Sequence, residues 1–321
     1  MAIARILGLA CLIACLAATL AAAQPFPARP VRLIIPFPPG GSNDVVGRVI
    51  AAQLGERMGQ SIVVDNRGGA GGAIGINAAA KSPPDGYTLL LVSVGYPVSI
   101  ALGRMPAESM QWFIPVASLG TGPSLLVVPA ALQVNSVMEL IALAKRKPGE
   151  LNAGSAGAGS FQHLATELFR LQSGIDIVIV QYKGGGPALT DVIAGQVQMN
   201  VGSVLQNLPH VRSGKLKALG IGGFKRIPAL PEVPTFAEAG LPGAEANNWW
   251  GIVAPAATPG AVVTRLQQDI GAILDSPETR KRFELEGAEV LRMTAAEFGQ
   301  FMADETTKWT RVVKEAGIKA E

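Results

Sequence analysis

The spacing of apolar and polar residues changes along the chain in a way that predicts alternating strands and helices. The β-branched run Val31–Ile35 predicts a strand, and apolar positions three or four residues apart over Asp44–Met58 predict a helix. Two more strands are predicted at 61–64 and 87–92, with a short helix at 74–81 between them. Strands separated by helices favour an α/β fold with a parallel, doubly wound sheet.

The second half of the chain repeats this alternation. The predicted elements are strands at 113–119, 125–128, 175–180, 197–201 and 216–221, and helices at 136–146, 162–171 and 205–212. Residues 249–255 predict a strand that returns to the first sheet, and three helices close the chain. The last helix has an apolar packing stripe made of Phe298, Phe301, Trp309, Val312 and Val313. We expect two domains, residues 24–124 with 252–321 and residues 125–251.

Glycine-rich loops lie at the predicted strand-to-helix junctions, at residues 36–44, 66–72, 154–160 and 182–187. A single glycine loop at such a junction is often only a tight connection. In a doubly wound sheet, however, the carboxyl ends of the strands share one edge, which is where ligands bind. We therefore expect the loops to meet at one cleft, with Ser93 and Gly95 close to the first loop.

The first loop, PFPPGGSND, has the composition of an anion site. Gly40 and Gly41 let the backbone approach a ligand closely, and Ser42 or Asn43 can cap the helix predicted from Asp44. A helix start presents free N–H groups and a positive partial charge, so it binds anions without any Lys or Arg. A carboxylate or a phosphate is the expected ligand.

Four other residues have two interpretations each. Asp44 either complements the helix dipole or contacts the ligand. His163, one of only two histidines, is either a structural hydrogen-bonding residue or a base. Trp249 and Trp250 either pack in the core or line the cleft.

Residues 1–23 have the pattern of a secretory signal, with one basic residue, an apolar run at 6–20 and small residues before Gln24. We expect cleavage after Ala23 and a mature protein in the periplasm. A lipoprotein-like box that ends at Cys15 is the alternative, and it would leave Cys15 as a lipid anchor. The apolar run is too short for a comfortable membrane span, and no later stretch is long enough.

Composition and charge argue against several classes of function. Both cysteines, Cys11 and Cys15, lie in the signal, so the mature chain has neither a disulfide nor a thiolate metal site. The formal charge is only +3, and the longest basic cluster is Lys145–Lys147, so nucleic acid is not an expected partner. No G-x-S-x-G, Walker A, G-x-G-x-x-G or H-E-x-x-H motif is present. We expect no cofactor, no metal and no catalytic residue.

One resemblance covers essentially the whole mature chain, in order. It is carried by the segments ARPVRLIIPFPPGGSNDVVGRVIAAQL, NRGGAGGAIGINAAAKSPPDGYTLL, GSAGAGSFQHLATELF, YKGGGPALTDVIAGQV, LPEVPTFAEAGLPG and WWGIVAPAATP. Together they resemble the Bug-type solute receptors of tripartite tricarboxylate transporters. The resemblance implies a two-domain type II periplasmic-binding-protein fold, with a hinged cleft between two doubly wound sheets. It also implies capture of a small organic anion, usually a carboxylate, for a membrane transporter with one large and one small integral subunit.

In that family the loops matching Pro38–Asp44 and Ser155–Ser160 hold the ligand, often through ordered water. The expected ligand-binding residues are Phe37, Gly40, Gly41, Ser42, Asn43, Asp44, Ser93, Gly95, Ser155, Gly157, Gly159, Ser160, His163, Tyr182 and Gly202. The chain departs from the family at one place, because such receptors commonly have GQVDLMFDS where it has GQVQMNVGS, with Gly202 at the aspartate position. Loss of that carboxylate would add room and weaken the binding of ammonium groups. We therefore expect a plain mono- or dicarboxylate rather than an amino acid.

Two other functions fit the same sequence. An exported enzyme acting on a carboxylic acid would need a base, and His163 with Asp44 is the only pair available. A ligand sensor of a signalling system would bind the acid without delivering it to a transporter. Our expectation is a receptor that acts as a monomer and is not an enzyme.

Overall fold

Three parallel strands, joined by helices, begin the first sheet. They are β1 (Val31–Ile35), β2 (Ile62–Asn66) and β3 (Thr88–Ser93), and β1 lies between the other two. Helices α1 (Ser42–Met58) and α2 (Ala73–Ala80) make the crossovers. These elements agree with the sequence prediction to within two residues at nearly every end.

The structure is a computed structural model that describes residues 26–315, 317 and 318. The predicted signal, its cleavage after Ala23 and the alternative anchor at Cys15 lie outside these residues. Within the described part of the chain, no helix is long and apolar enough to cross a membrane.

Two antiparallel strands extend the first sheet, namely β4 (Phe113–Pro129) and β9 (Asn247–Pro255). Strand β9 pairs with β3 on one side and β4 on the other, and the short β10 (Glu289–Val290) adds an edge, so the order is β2–β1–β3–β9–β4–β10. The prediction of two strands at 113–119 and 125–128 is wrong, since β4 is one strand of 17 residues. Its Gly120–Pro123 segment stays extended because it pairs with β9, and this pairing overrides the local turn preference of glycine and proline.

The second sheet contains the other half of β4. Its remaining strands are β5 (Asn152–Ser155), β6 (Val178–Gln181), β7 (Asn200–Ser203) and β8 (Leu216–Gly222). Strands β5 and β6 are parallel, β5 is bridged to β7, and both β7 and β8 run antiparallel to β4. The sheets therefore share β4, and the predicted domain limits at 124/125 and 251/252 fall inside β4 and β9.

Helices cover both sheets. Those not yet given are α3 (Gly95–Ala101), α4 (Val137–Arg146), α5 (Phe161–Ser173), α6 (Gly185–Ile193), α7 (Val204–Arg212), α8 (Gly260–Asp275), α9 (Pro277–Leu285) and α10 (Ala295–Glu315). Two 3₁₀ turns lie at Ala70–Gly72 and Ala107–Trp112. Strand β6 begins later than predicted, because Ile175 and Ile177 are buried as core residues before the ladder starts.

The apolar stripe of α10 is a packing stripe, as predicted, and it lies against β4 and β9. Phe298 is fully buried and stacks edge to face with Trp249. Glu305 is also buried there, and its Oε2 accepts hydrogen bonds from the indole N–H groups of Trp249 and Trp309 at 3.0 and 2.9 Å. Trp249 is therefore a packing residue, in agreement with one of its two interpretations.

Candidate functional site

A small cavity of about 40 Å³ lies where the starts of four helices meet. Helices α1, α5, α6 and α7 contribute to it, together with the end of β3 and the start of β9. The lining residues are Phe37, Gly41, Ser42, Asn43, Ser93, Ala156, Ser160, Phe161, Gln162, Gly185, Ser203, Gln206 and Asn248. None of them is charged, so any net attraction for an anion comes from helix starts and neutral donors.

The helix starts leave backbone donors unpaired. The first N–H groups of an α-helix have no intrahelical partner. Within the described part of the chain, the N–H groups of Ser42 and Asn43 in α1, and of Phe161 and Gln162 in α5, make no backbone hydrogen bond. Two sets of free donors therefore border the same cavity, one from each side of the cleft.

Asn43 holds the α1 side of the cavity through a chain of hydrogen bonds. The indole N–H of Trp250 can only donate, and it donates to Asn43 Oδ1 at 3.0 Å. The amide nitrogen of Asn43 must then face the other way, and it donates to Ser93 Oγ at 3.2 Å. In the described part of the chain Ser93 makes no other side-chain hydrogen bond, so its own proton is available to a ligand. Trp250 is thus a fully buried residue that orients the site without lining it.

The Asp44 carboxylate holds the first glycine loop in place by hydrogen bonds. It accepts hydrogen bonds from the Gly40 N–H, from Arg48 Nε and from Asn66 Nδ2, all at 3.0 Å. Burial alone would raise the pKa of Asp44, but the hydrogen bonds from Arg48, Gly40 and Asn66 outweigh it and hold that pKa below its ordinary value. The same Asn66 amide also donates to the Phe37 carbonyl at 3.0 Å. Asp44 does not border the cavity, and its contacts are with the protein.

The predicted cap at Ser42 or Asn43 is wrong. Helix α1 begins at Ser42, and its N-cap is Gly41, which forms no side-chain cap. The Asp44 carboxylate instead accepts from a backbone N–H of the loop, that of Gly40. Ser42 faces Asn248, and Asn248 Nδ2 donates to the Ser42 hydroxyl at 3.4 Å. Gly40 has a left-handed φ of +84°, so this is the position that needs glycine.

His163 supports the loop on the other side of the cleft. Ser160 Oγ caps α5 by accepting from the His163 N–H at 3.2 Å. The Nδ1 atom of His163 accepts from the Gly159 N–H at 3.1 Å, and Nε2 lies 3.7 Å from Glu167 Oε1. Burial would raise the pKa of Glu167, but hydrogen bonds from His163 and Arg170 outweigh it and lower that pKa. Nδ1 is therefore engaged with the protein, Nε2 faces the Glu167 carboxylate, and His163 does not line the cavity.

A chain of buried amides forms the wall at α5, α6 and α7. The Gly185 carbonyl accepts from Gln206 Nε2 at 2.6 Å, and Gln206 Oε1 accepts from Gln162 Nε2 at 2.7 Å. A Cβ atom at Gly185 would lie 2.6 Å from Gln206 Oε1 and 2.9 Å from Gln162 Nε2, so only glycine leaves space for this pair. The sequence analysis missed both glutamines, since nothing local marks them as partners.

The expectation of extra room at Gly202 is wrong. A Cβ atom there would lie 2.3 Å from Asn200 Oδ1, so the Asn200 side chain already fills the space. The Asn200 amide donates to the Gly154 carbonyl at 2.8 Å and accepts from Asn207 Nδ2 at 3.1 Å. Asn200 stands where the family pattern has methionine, so the two departures are coupled: a glycine makes space for an amide two residues earlier.

The remaining predicted residues lie around the cavity but not on it. Ser155 is buried with its Oγ 3.5 Å from Ser160 Oγ, and Gly95 lies against the Phe37 ring. Gly157 and Tyr182 line an outer groove of about 780 Å³ that shares Phe37 and Ala156 with the cavity. Burial and a 2.6 Å hydrogen bond to Asp191 raise the pKa of Tyr182 to about 12. Of the predicted set, the cavity brings together Phe37, Gly41, Ser42, Asn43, Ser93 and Ser160.

Metal chemistry has no support among the described residues, where no cluster of three His, Cys, Asp or Glu side chains is close enough to hold an ion. The cavity wall is made of hydroxyl, amide and backbone N–H groups. Such a wall can hold an uncharged group or a small anion by hydrogen bonds.

Comparisons with known proteins show the family to which the chain belongs. The family model described as "Tripartite tricarboxylate transporter family receptor" matches residues 46–318. Protein BugT of Bordetella pertussis is 41% identical over 92% of both chains. A structure of an R. palustris protein with adipate has a TM-score of 0.87 at 37% identity, covering 92% of this chain and 99% of that one. MatC from Rhodopseudomonas palustris with bound malate has a TM-score of 0.84 at 33% identity, covering 90% and 100%.

Proposed function

Because the chain belongs to the tripartite tricarboxylate transporter receptor family, we propose that it captures a small organic acid by holding one carboxylate in the cavity at the four helix starts. The family and its ligand-bound relatives make the protein a periplasmic carboxylate-binding receptor. The residues that perform the binding are our proposal.

The observation that carries this proposal is the meeting of α1 and α5 starts at a cavity with no charged side chain. The free N–H groups of Ser42 and Asn43 approach from one side, and those of Phe161 and Gln162 from the other. A carboxylate between them accepts several charge-assisted hydrogen bonds at once. Because both sides of the cleft donate to one anion, binding also favours the closed arrangement.

The cleft has to open before an acid can enter. The cavity has room for about three water molecules, which is less than a dicarboxylic acid needs. Contacts between the two sides close it: the Pro38 ring packs over Gly184, Gly186 lies next to the Pro39 carbonyl, and the Arg104 side chain donates to the Ala158 carbonyl. We propose that these contacts separate when ligand enters and leaves by way of the outer groove.

The proposed receptor acts without chemistry on its ligand. His163 was the candidate base, and its place outside the cavity, with Nδ1 accepting from the Gly159 N–H, supports a structural role. We propose that the mature protein starts at Gln24, acts as a monomer and delivers its acid to a membrane transporter with one large and one small integral subunit. The chemistry of the cavity wall does not favour the sensor alternative over this one.

Calorimetric titration of the mature protein with a panel of mono-, di- and tricarboxylates tests the proposal. Native mass spectrometry of gently purified protein identifies any acid retained from the cell. We expect at least one acid to bind and to be recovered unchanged after long incubation. Conversion of that acid would support the enzyme instead, and a panel without any binding acid would contradict the proposal.

A further inference from the structure

Within the part of the chain that the structure describes, three polar atoms of cavity-lining residues are buried without a hydrogen-bond partner. They are Gln162 Oε1, Asn248 Oδ1 and Ser203 Oγ. The first two are carbonyl oxygens, which can only accept. A buried acceptor without a donor is costly, so the cavity is incomplete until a donor reaches it.

The orientation of Gln162 is fixed by its neighbours. The Gly185 carbonyl can only accept, so Gln206 must turn its Nε2 toward it and its Oε1 toward Gln162. Gln162 must then present Nε2 to Gln206, which leaves its own Oε1 as the free end of the chain. Gln162 is only 4% exposed, so bulk water does not satisfy this atom. The site therefore has a fixed acceptor on a residue that lines the cavity together with the start of α1.

A carboxylate alone does not match this wall. At neutral pH it is ionised and can accept hydrogen bonds but not donate them. A hydrogen-bond donor on a second group of the same ligand would supply what the carboxylate cannot. An ammonium group would be taken out of water with no carboxylate in the lining to compensate its charge. A hydroxyl group is the donor that an uncharged wall accommodates.

We propose that this receptor selects hydroxycarboxylates, with Gln162 Oε1 accepting from the ligand hydroxyl and with Gln206 and the Gly185 carbonyl as positioning groups. The inference rests on the proposed function, because it assumes that the carboxylate is held at the helix starts. It assigns the selectivity to Gln162 and Gln206, whereas the sequence analysis derived selectivity from Gly202 alone. Adipate and malate, found with two relatives, differ in this respect, since only malate has a hydroxyl group.

The test uses acids that differ only in the hydroxyl group. Affinities of the mature protein are measured by calorimetry for malate and succinate, for lactate and propionate, and for 3-hydroxybutyrate and butyrate. In at least one pair, we expect the hydroxy acid to bind about 10- to 100-fold more tightly, because its analogue leaves Gln162 Oε1 unpaired. Equal affinities in every pair where acids bind would overturn the inference, since water would then satisfy the acceptor.

Variants connect the selectivity to the amide chain. Gln162→Met removes the acceptor and should bring the affinity ratio close to one. Gln206→Met leaves Gln162 in place but frees its amide to turn, so the ratio should also fall, which a purely structural role would not cause. Gln181→Met is the matched control: Gln181 Oε1 is also buried without a partner, but the residue lines the outer groove. Its ratio should stay at the wild-type value.

The outcomes separate the two proposals. If no acid binds, the proposed function itself fails. If acids bind and the wild-type protein prefers the hydroxy form, but Gln162→Met and Gln206→Met keep that preference, the assignment to the amide chain is refuted. Should either variant fail to fold, the other variant and the wild-type acid pairs still decide.

Discussion

Gly41→Val tests whether the start of α1 holds the ligand. Gly41 has φ −85° and ψ 168°, an extended conformation that valine adopts readily. Apart from Gly41 and its two chain neighbours, no atom of the described residues lies within 4 Å of the Cβ atom that the substitution would add. Because Gly41 lines the cavity, the three added carbon atoms occupy space that the ligand needs rather than space filled by the protein.

The expected effects on binding and on folding differ in size. Excluding the carboxylate from the Ser42 and Asn43 N–H groups removes two charge-assisted hydrogen bonds, worth roughly 1.5–3 kcal/mol each. Affinity should therefore fall about 100-fold or more. Valine is a poorer N-cap than glycine by about 1 kcal/mol, but glycine loses more chain entropy on folding, which offsets about 0.4–1 kcal/mol. The melting temperature should change by no more than about 4 °C.

Calorimetry with the best acid and thermal unfolding followed by circular dichroism measure the two effects. Gly260→Val is the matched control, because Gly260 also lies at a helix start but outside the cavity, and apart from its chain neighbours and its own helix backbone no atom of the described residues lies within 4 Å of its added Cβ. It should bind as wild type does. Gly41→Ala, with one added carbon, should lie between wild type and Gly41→Val. A folded Gly41→Val that binds with wild-type affinity would refute the model of the site.

Three further predictions follow from other contacts. The hydrogen bonds to Asp44 hold its pKa below the ordinary 3.8, so the stability that they contribute is complete well above that value and is lost as pH falls through the lower folded-state pKa. In urea unfolding between pH 6 and pH 3, the free energy of unfolding should therefore fall less for Asp44→Asn than for wild type. Parallel pH profiles would contradict this. Gly202→Asp should lower the melting temperature sharply, because its side chain overlaps Asn200 Oδ1. Adding Asn200→Met should restore part of that loss, whereas additive losses in thermal melts would show that the two positions are not coupled. Lys183 is exposed and outside the cavity, so the affinity of Lys183→Ala measured by calorimetry should be within about twofold of wild type. A tenfold loss would show that side-chain charge contributes to ligand binding.

The sequence was sufficient to predict the parts of the site that depend on local structure. A glycine pair between a β-branched strand and an amphipathic helix predicts a helix start with free donors, and Gly41, Ser42 and Asn43 do line the cavity. Ser160 was found in the same way, as the residue before α5. In each case the signal and the structure lie within a few residues of each other.

The missing parts depend on contacts between distant segments. Gln162 and Gln206 are 44 positions apart, and only the fold shows that their amides meet. Asp44 could have faced the ligand, but Asn66, at the end of the neighbouring strand, fixes it against the loop. Asn200 fills the space at Gly202 because β7 lies beside β5, a pairing that the separate segments do not specify. Distant partners of this kind cannot be found from periodicity or capping patterns.

Strand β4 has a mechanical consequence for ligand release. It passes from one sheet to the other without a break, paired with β9 up to Pro123 and with β7 and β8 from Ser124 onward. A loop hinge pivots freely, but a strand in a hydrogen-bonded ladder resists changes in its twist. We expect opening of the cleft to bend β4 elastically and therefore to work against a restoring force. The balance between that force and the hydrogen bonds to the ligand would then set how long the acid is retained.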